Sequence, residues 1–246
     1  QDMVRRLPED GFLRRLAAQQ VLRRCVAPRL VGDAAQGDPG FRDPAAVQAQ
    51  RRREEAVGEV AREQVLARAL AKGGLPAIEV TLRTAASPDA IRAIAAEVPE
   101  ATVGAGTILT PQQYDAAEEA GATFIVSPGA TVEVLDAAKA GDAPLLPGAA
   151  TPSELMAMIE EGYEILKFFP AEQLGGVAYL KALAPVFQNI SFCPTGGVSP
   201  SNVHEYLSLP NVICVGGSWV APKDRLAAGD FAAVTALAAE AAALRR

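Results

Sequence analysis

Lys167 lies inside Ile165-Leu166-Lys167-Phe168-Phe169-Pro170, an apolar run of strand length. Burying an ammonium without a partner is costly, so a lysine held there tends to lose its proton. The neutral amine is then a nucleophile toward carbonyl carbon. The chain has five lysines, and Lys72, Lys139, Lys181 and Lys223 all fall on expected helix faces, helix ends or a Pro-Lys-Asp turn. Lys167 is the exception, and the alternative for it is a strand-end lysine that reaches solvent with its head group. A second set of polar groups sits in Glu79-Val-Thr-Leu-Arg83, where strand alternation puts Glu79, Thr81 and Arg83 on one face. Such a carboxylate and guanidinium either pair to seal an interior or serve as an acid/base beside a carboxylate clamp. Gly104-Ala-Gly-Thr107 offers small residues that let a ligand approach the backbone, together with one hydroxyl. Ser127-Pro-Gly129 and Leu146-Pro-Gly148 repeat the idea, although Pro-Gly is also an ordinary turn. Thr195-Gly-Gly197 and Gly216-Gly-Ser218 expose backbone N–H groups ahead of helix starts, a recipe for binding phosphate, with plain turns as the alternative.

The elements that carry these groups follow a rhythm. Apolar runs at Ala77–Leu82, Ala101–Gly104, Thr123–Val126, Pro144–Leu146, Ile165–Phe168, Ile190–Cys193 and Val212–Val215 recur about every 21 to 26 residues, the length of one strand and helix with short loops. Between them, Ser87–Val98, Thr110–Ala120, Thr131–Ala140, Thr151–Glu161 and Pro200–Leu209 place apolar residues at helical spacing. Ser, Thr or Pro opens most of these segments, and Gly121, Gly141 and Gly162 stand where helices should stop. Seven parallel strands with helices outside imply an eighth and a (β/α)8 TIM barrel, whose functional groups collect at the strand C-termini. An open doubly wound sheet is the competing architecture. It lacks the Gly-x-Gly-x-x-Gly turn after a first strand that would support it.

The first 66 residues differ, with twelve of the eighteen arginines and no lysine. Residues 1–24 read as a helical extension, with Phe12–Arg24 as its helix, and residues 25–246 as one barrel domain. The missing strand is expected at Cys25–Val31 and an insertion at residues 32–62, before a first barrel helix at Glu63–Lys72. Arg51-Arg-Arg53 is followed by Glu54-Glu55, so a solvated helix face is expected rather than a binding patch.

Composition narrows the partners. Half the residues are hydrophobic, and a net charge of −6 argues against nucleic acid or an anionic membrane as the main partner. No apolar stretch approaches a membrane span and no signal peptide is expected, so a cytoplasmic setting is expected. Cys25, Cys193 and Cys214 form no Cys-x-x-Cys spacing, and Cys193 and Cys214 read as reduced core thiols. The single histidine, His204, falls on a helix-like segment; neither a histidine triad nor a metal site is expected.

The order Glu-Val-Thr-Leu-Arg-Thr, Gly-Ala-Gly-Thr, Ser-Pro-Gly, Leu-Pro-Gly, Lys-Phe-Phe-Pro-Ala-Glu, Phe-Cys-Pro-Thr-Gly-Gly and Val-Gly-Gly-Ser-Trp resembles the 2-keto-3-deoxy-6-phosphogluconate (KDPG) and 4-hydroxy-2-oxoglutarate aldolase family from Ala67 to about Ala239. The resemblance implies a class I aldolase on a (β/α)8 barrel, without metal or cofactor, a homotrimer in Entner–Doudoroff carbohydrate metabolism. Its phosphorylated keto acid substrate would be cleaved to pyruvate and glyceraldehyde 3-phosphate, and many members also act on 4-hydroxy-2-oxoglutarate. The Schiff-base lysine of that family matches Lys167 and its acid/base glutamate matches Glu79. Arg83 and Thr107 match the residues that hold the pyruvyl carboxylate. Gly196, Gly197, Gly217 and Ser218 match phosphate contacts, while Thr195, Pro128 and Phe169 match the pocket lining. The departure is upstream, where family members open with a Val-Val-Pro-Val-Leu-Val-like strand directly before the first helix. Two other classes stay open: a different phosphate-binding barrel enzyme that needs no imine, and an engineered or degenerate barrel serving assembly.

Overall fold

A computed structural model describes residues 22–23 and 44–244. Strand β1 (Leu22–Arg23) pairs in parallel with β2 (Ala77–Thr81), which pairs with β3 (Thr102–Gly106), then β4 (Ile125–Val126) and β5 (Leu145–Leu146). A bridge from Gly148 to Lys167 continues the order into β6 (Ile165–Phe168), and β6 pairs in parallel with β7 (Ser191–Pro194). Bridges from Phe192 to Val212 and from Thr195 to Gly216 place residues 212–216 in the eighth position. The fold is the (β/α)8 barrel. Its helices are α1 (Pro44–Lys72), α2 (Ser87–Glu97), α3 (Pro111–Glu119), α4 (Val132–Ala140), α5 (Pro152–Glu160), α6 (Gly176–Leu183), α7 (Val203–Leu207), α8 (Lys223–Ala227) and α9 (Phe231–Ala242).

The helices start where small polar residues can satisfy the orphan N–H groups of a first turn. Thr110, Thr131 and Thr151 accept from Gln113, Val134 and Glu154, and Glu154 reaches back to Thr151 to complete a capping box. Their carboxyl ends need different things from glycine. Gly121 and Gly162 take left-handed torsions, whereas Gly141 is extended and its missing side chain makes room for the Tyr114 ring.

Three sequence expectations are corrected at the amino-terminal side. The strand beside β2 is Leu22–Arg23, residues expected to close a helix, while the expected strand Cys25–Val31 lies outside the described residues. The first barrel helix begins at Pro44 rather than Glu63; 29 residues without an internal Pro and rich in Ala, Arg, Glu and Gln sustain one helix. The alternation from Glu79 to Arg83 stops at Thr81. Arg83 sits beyond the strand, exposed, in a turn closed by its own N–H donating to the Thr81 carbonyl at 2.8 Å.

The core divides into two. The larger part lies between strands and helices. The smaller lies inside the barrel and comprises Phe124, Val126, Leu146, Ile165, Cys193 and Cys214. Cys193 and Cys214 are buried and neither forms a disulfide among the described residues. Every residue of β2 is buried, as expected for a strand covered on both faces.

Candidate active site

Strand periodicity builds the site on that inner apolar layer. Two positions beyond Val126, Leu146, Ile165, Cys193 and Cys214 come Pro128, Gly148, Lys167, Thr195 and Gly216, one pleat nearer the strand carboxyl ends. Lys167 is therefore fixed by its neighbours before its side chain does anything. Its N–H donates to Pro147 O at 2.9 Å, its carbonyl accepts from Ala149 N at 3.0 Å, and on the other side it is in register with Cys193. The side chain is fully buried, and Nζ has no hydrogen-bond partner among the described residues. The Phe169 ring lies with its centroid 5.1 Å from Nζ. Burial of this kind favours the neutral amine over the ammonium.

Glu79 is also buried, on β2, and its carboxylate lies across Gly106 of the neighbouring strand. A methyl group at Gly106 would occupy the same space as that carboxylate. The Phe124 ring similarly fills the space over Gly104. The small residues of β3 thus make room for a side chain from each flanking strand, which corrects the expectation that they leave backbone open to a ligand. Thr107 follows directly and is the one non-glycine residue with positive φ, 65°, among the described residues. It is half-buried just past β3, and exposed Arg83 lies just past the end of β2, which pairs with β3 as far as Thr81 and Gly106.

The Pro-Gly segments pack backbone against backbone. Gly148 lets the Pro128 carbonyl approach, and the Ser127 hydroxyl donates to Ile108 O at 2.7 Å and to Gly129 O. The two glycine loops meet the lysine side of the site. Gly196 sits against the Phe169 ring, so close that an added methyl would be 3.2 Å from it. Thr195 packs on Gly216, and the Trp219 ring covers Gly217. Gly196 and Gly197 adopt φ of 97° and 82°, torsions that side chains rarely tolerate. The N–H groups of Gly197, Gly217 and Ser218 meet no protein acceptor among the described residues. They are free donors for an anion.

The structure thus brings Lys167, Phe169, Thr195, Gly196, Gly197, Gly217 and Ser218 to one side of the mouth, and Glu79, Thr107 and Arg83 to the β2–β3 side. Among the described residues no three His, Cys, Asp or Glu side chains gather as a metal site. Sequence reasoning missed the supports of the first glycine loop. Ala171 and Glu172 donate backbone N–H groups to Thr195 O at 2.9 Å and Gly196 O at 3.1 Å, and the Asn202 amide donates to Gly197 O at 3.1 Å. Tyr206, on α7, donates its hydroxyl to the Glu172 carboxylate. Ala171, Glu172 and Tyr206 carry no local motif, since each is defined by a neighbour distant in the chain, whereas Asn202 lies only five positions from Gly197.

The chain matches the protein-family profile "Aldolase: KDPG and KHG aldolase" over residues 56–237. It is 55% identical over 176 residues to the KHG/KDPG aldolase of Escherichia coli strain K12, covering 72% of this chain and 83% of that one. It is 52% identical over 176 residues to a 2-dehydro-3-deoxy-phosphogluconate aldolase of Pseudomonas aeruginosa, covering 72% and 80%. Among solved structures it resembles the KDPG aldolase of Legionella pneumophila with pyruvate captured as a covalent carbinolamine intermediate, at 43% identity and TM-score 0.72, covering 74% of this chain and 88% of that one. The 2-keto-3-deoxy-6-phosphogluconate aldolase of Zymomonas mobilis with 3-phosphoglycerate is similar at 47% identity and TM-score 0.71, covering 76% and 88%.

Proposed function

The chain belongs to the KDPG and KHG aldolase family, and from that membership we propose that it cleaves 2-keto-3-deoxy-6-phosphogluconate to pyruvate and glyceraldehyde 3-phosphate, with 4-hydroxy-2-oxoglutarate as a second substrate. The observation that carries a Schiff-base mechanism is Lys167, fully buried above an apolar floor with no hydrogen-bond partner for Nζ among the described residues. The carbinolamine of pyruvate in the Legionella protein supports the same chemistry, since a carbinolamine is what an amine and a ketone form.

The amine of Lys167 adds to the C2 ketone, and loss of water gives a protonated imine. Removal of the C4 hydroxyl proton sends the C3–C4 bonding electrons into that imine. The aldehyde departs, and an enamine of pyruvate remains to be protonated at C3 and hydrolysed. Glu79 is the base for the C4 hydroxyl, directly or through water, and moves protons in carbinolamine formation. Its role is supported by its burial and by the place of its carboxylate over Gly106, next to Thr107. Arg83 and Thr107 hold the carboxylate of the substrate, the guanidinium in two-pronged fashion. Gly196, Gly197, Gly217 and Ser218 take the phosphate, converting remote binding into orientation of the reacting carbon. Pro128, Phe169 and Thr195 line the pocket between the two ends.

Borohydride reduction in the presence of pyruvate should add the reduced pyruvyl mass to Lys167 and to no position in Lys167→Ala. No adduct, or the same adduct in the variant, would overturn the aldolase reading in favour of another phosphate-binding barrel or a scaffold. The chain works as a homotrimer, a reading that rests on the family and on the exposed apolar side chains of Val132, Met156 and Ile159. Light scattering should give three times the 25.6 kDa chain mass, and a monomer would refute it. It acts in the cytoplasm on phosphorylated sugar acids. Among the described residues no helix is long and apolar enough to cross a membrane, and fractionation of expressing cells tests the location.

A further inference from the structure

The loop Thr195–Gly197 is held from beneath by a node outside the reacting centre. Glu172 opens the short 3-10 turn Glu172–Leu174 that follows β6, and its methylene stem lies under Gly197, where an added methyl would be 2.6 Å from its Cβ. The carboxylate end points elsewhere, toward Tyr206 on α7, whose hydroxyl donates to Oε1. Gly176 at the start of α6 leaves room for both groups, since a methyl there would be 3.0 Å from the Glu172 carboxylate and 3.0 Å from the Tyr206 hydroxyl. Tyr206 is fully buried whereas Glu172 is exposed, so the fixed partner of the pair is the tyrosine. Burial, then the hydrogen bond to Glu172 and the charges of Glu172 and Glu205, push the Tyr206 hydroxyl above its ordinary range. It therefore remains a donor at neutral pH.

A carboxylate beside a loop that must receive a phosphate dianion is a liability, because like charges at close range repel even where solvent partly screens them. We propose that Tyr206 is a positioning residue for phosphate recognition: it anchors the Glu172 carboxylate on the α7 side, so that only the uncharged stem of Glu172 supports Gly197. This rests on the assignment of the two glycine loops to phosphate. It adds a residue whose effect on substrate runs through Glu172.

The test compares a phosphorylated with an unphosphorylated substrate. In Tyr206→Phe, KM for KDPG should rise roughly tenfold, the lower end of the scale for one lost hydrogen bond to a charged group. The kcat for KDPG should stay within about twofold, and cleavage of 4-hydroxy-2-oxoglutarate should be unaffected. Adding Glu172→Gln, which removes the charge but keeps the stem, should restore KM in the double variant. Equal losses on both substrates, an unchanged KM for KDPG, or no rescue would each overturn the proposal. Competition of inorganic phosphate with KDPG, measured in parallel on the unsubstituted protein, keeps the two readings apart. If phosphate competes while Tyr206→Phe leaves KM for KDPG unchanged, the role of Tyr206 falls and the phosphate loops stand. If phosphate does not compete and Tyr206→Phe is silent, the phosphate assignment falls as well.

Discussion

Thr107 holds a left-handed backbone torsion that costs a branched side chain about 1 to 2 kcal/mol, at the position where the family resemblance puts a carboxylate-binding hydroxyl. Both the strain and the hydroxyl can be measured. Thr107→Ala and Thr107→Gly both lose the hydroxyl and should both show a raised KM. Glycine alone relieves the torsion, so urea unfolding should find Thr107→Gly more stable than Thr107→Ala by about 1 kcal/mol. Lys167 was legible in the sequence because few explanations exist for a lysine within an apolar run. Tyr206 was not, since a tyrosine on an amphipathic segment reads as ordinary core and its partner Glu172 lies 34 positions away. Arg83 was legible as a residue type but misplaced, because alternation cannot tell where a strand gives way to a turn.

Strand β3 shows how an element can matter through what it lacks. A methyl at Gly106 must displace the Glu79 carboxylate. Gly106→Ala should therefore lower kcat as much as Glu79→Gln does while losing about 1 to 3 kcal/mol of stability, read by steady-state cleavage and chemical unfolding. The loop before α5 makes a pH prediction. Burial pushes the Glu154 carboxyl up, but bonds from the Ala150 and Thr151 N–H groups and the Thr151 hydroxyl outweigh it, leaving it below its ordinary 4.5. A carboxyl lowered on folding contributes stability that is present above 4.5 and is lost as pH falls through its folded value. Urea midpoints of the protein and Glu154→Gln should differ at pH 7 and converge in acid below 4.5. The strand and helix order was legible because β-runs and helical spacing alternate without interruption from Ala77 onward. Several strands are shorter than their apolar runs: within Thr123–Val126 the strand is Ile125–Val126, although the Thr123 N–H still donates to Val103 O at 2.8 Å and the Phe124 carbonyl accepts from Ala105 N at 3.0 Å.

Across the molecule, the ring of helices is joined where its two ends meet. Helix α1 packs on α9; the Thr235 hydroxyl donates to Ala69 O at 3.1 Å, and Ala238 fills the space over Gly73. Ala238 is fully buried, so Ala238→Glu should bury a carboxylate and lower the thermal midpoint by several degrees or abolish the cooperative transition, as scanning calorimetry would show. The barrel as a whole was legible from Leu75 onward but its beginning was not. The strand at Leu22–Arg23 is only two residues long and carries an arginine, so no apolar run announced it.

The backbone of Lys167 is hydrogen-bonded to residues 147 and 149 on one side and in register with Cys193 on the other. The amine proposed to make the covalent bond thus stands on a strand tied on both sides, while the groups proposed for the far end of the substrate stand on loops after later strands. The protein is consequently modular for directed evolution: libraries confined to residues 195–197 and 216–218 can exchange one aldehyde for another while the imine-forming half is inherited intact.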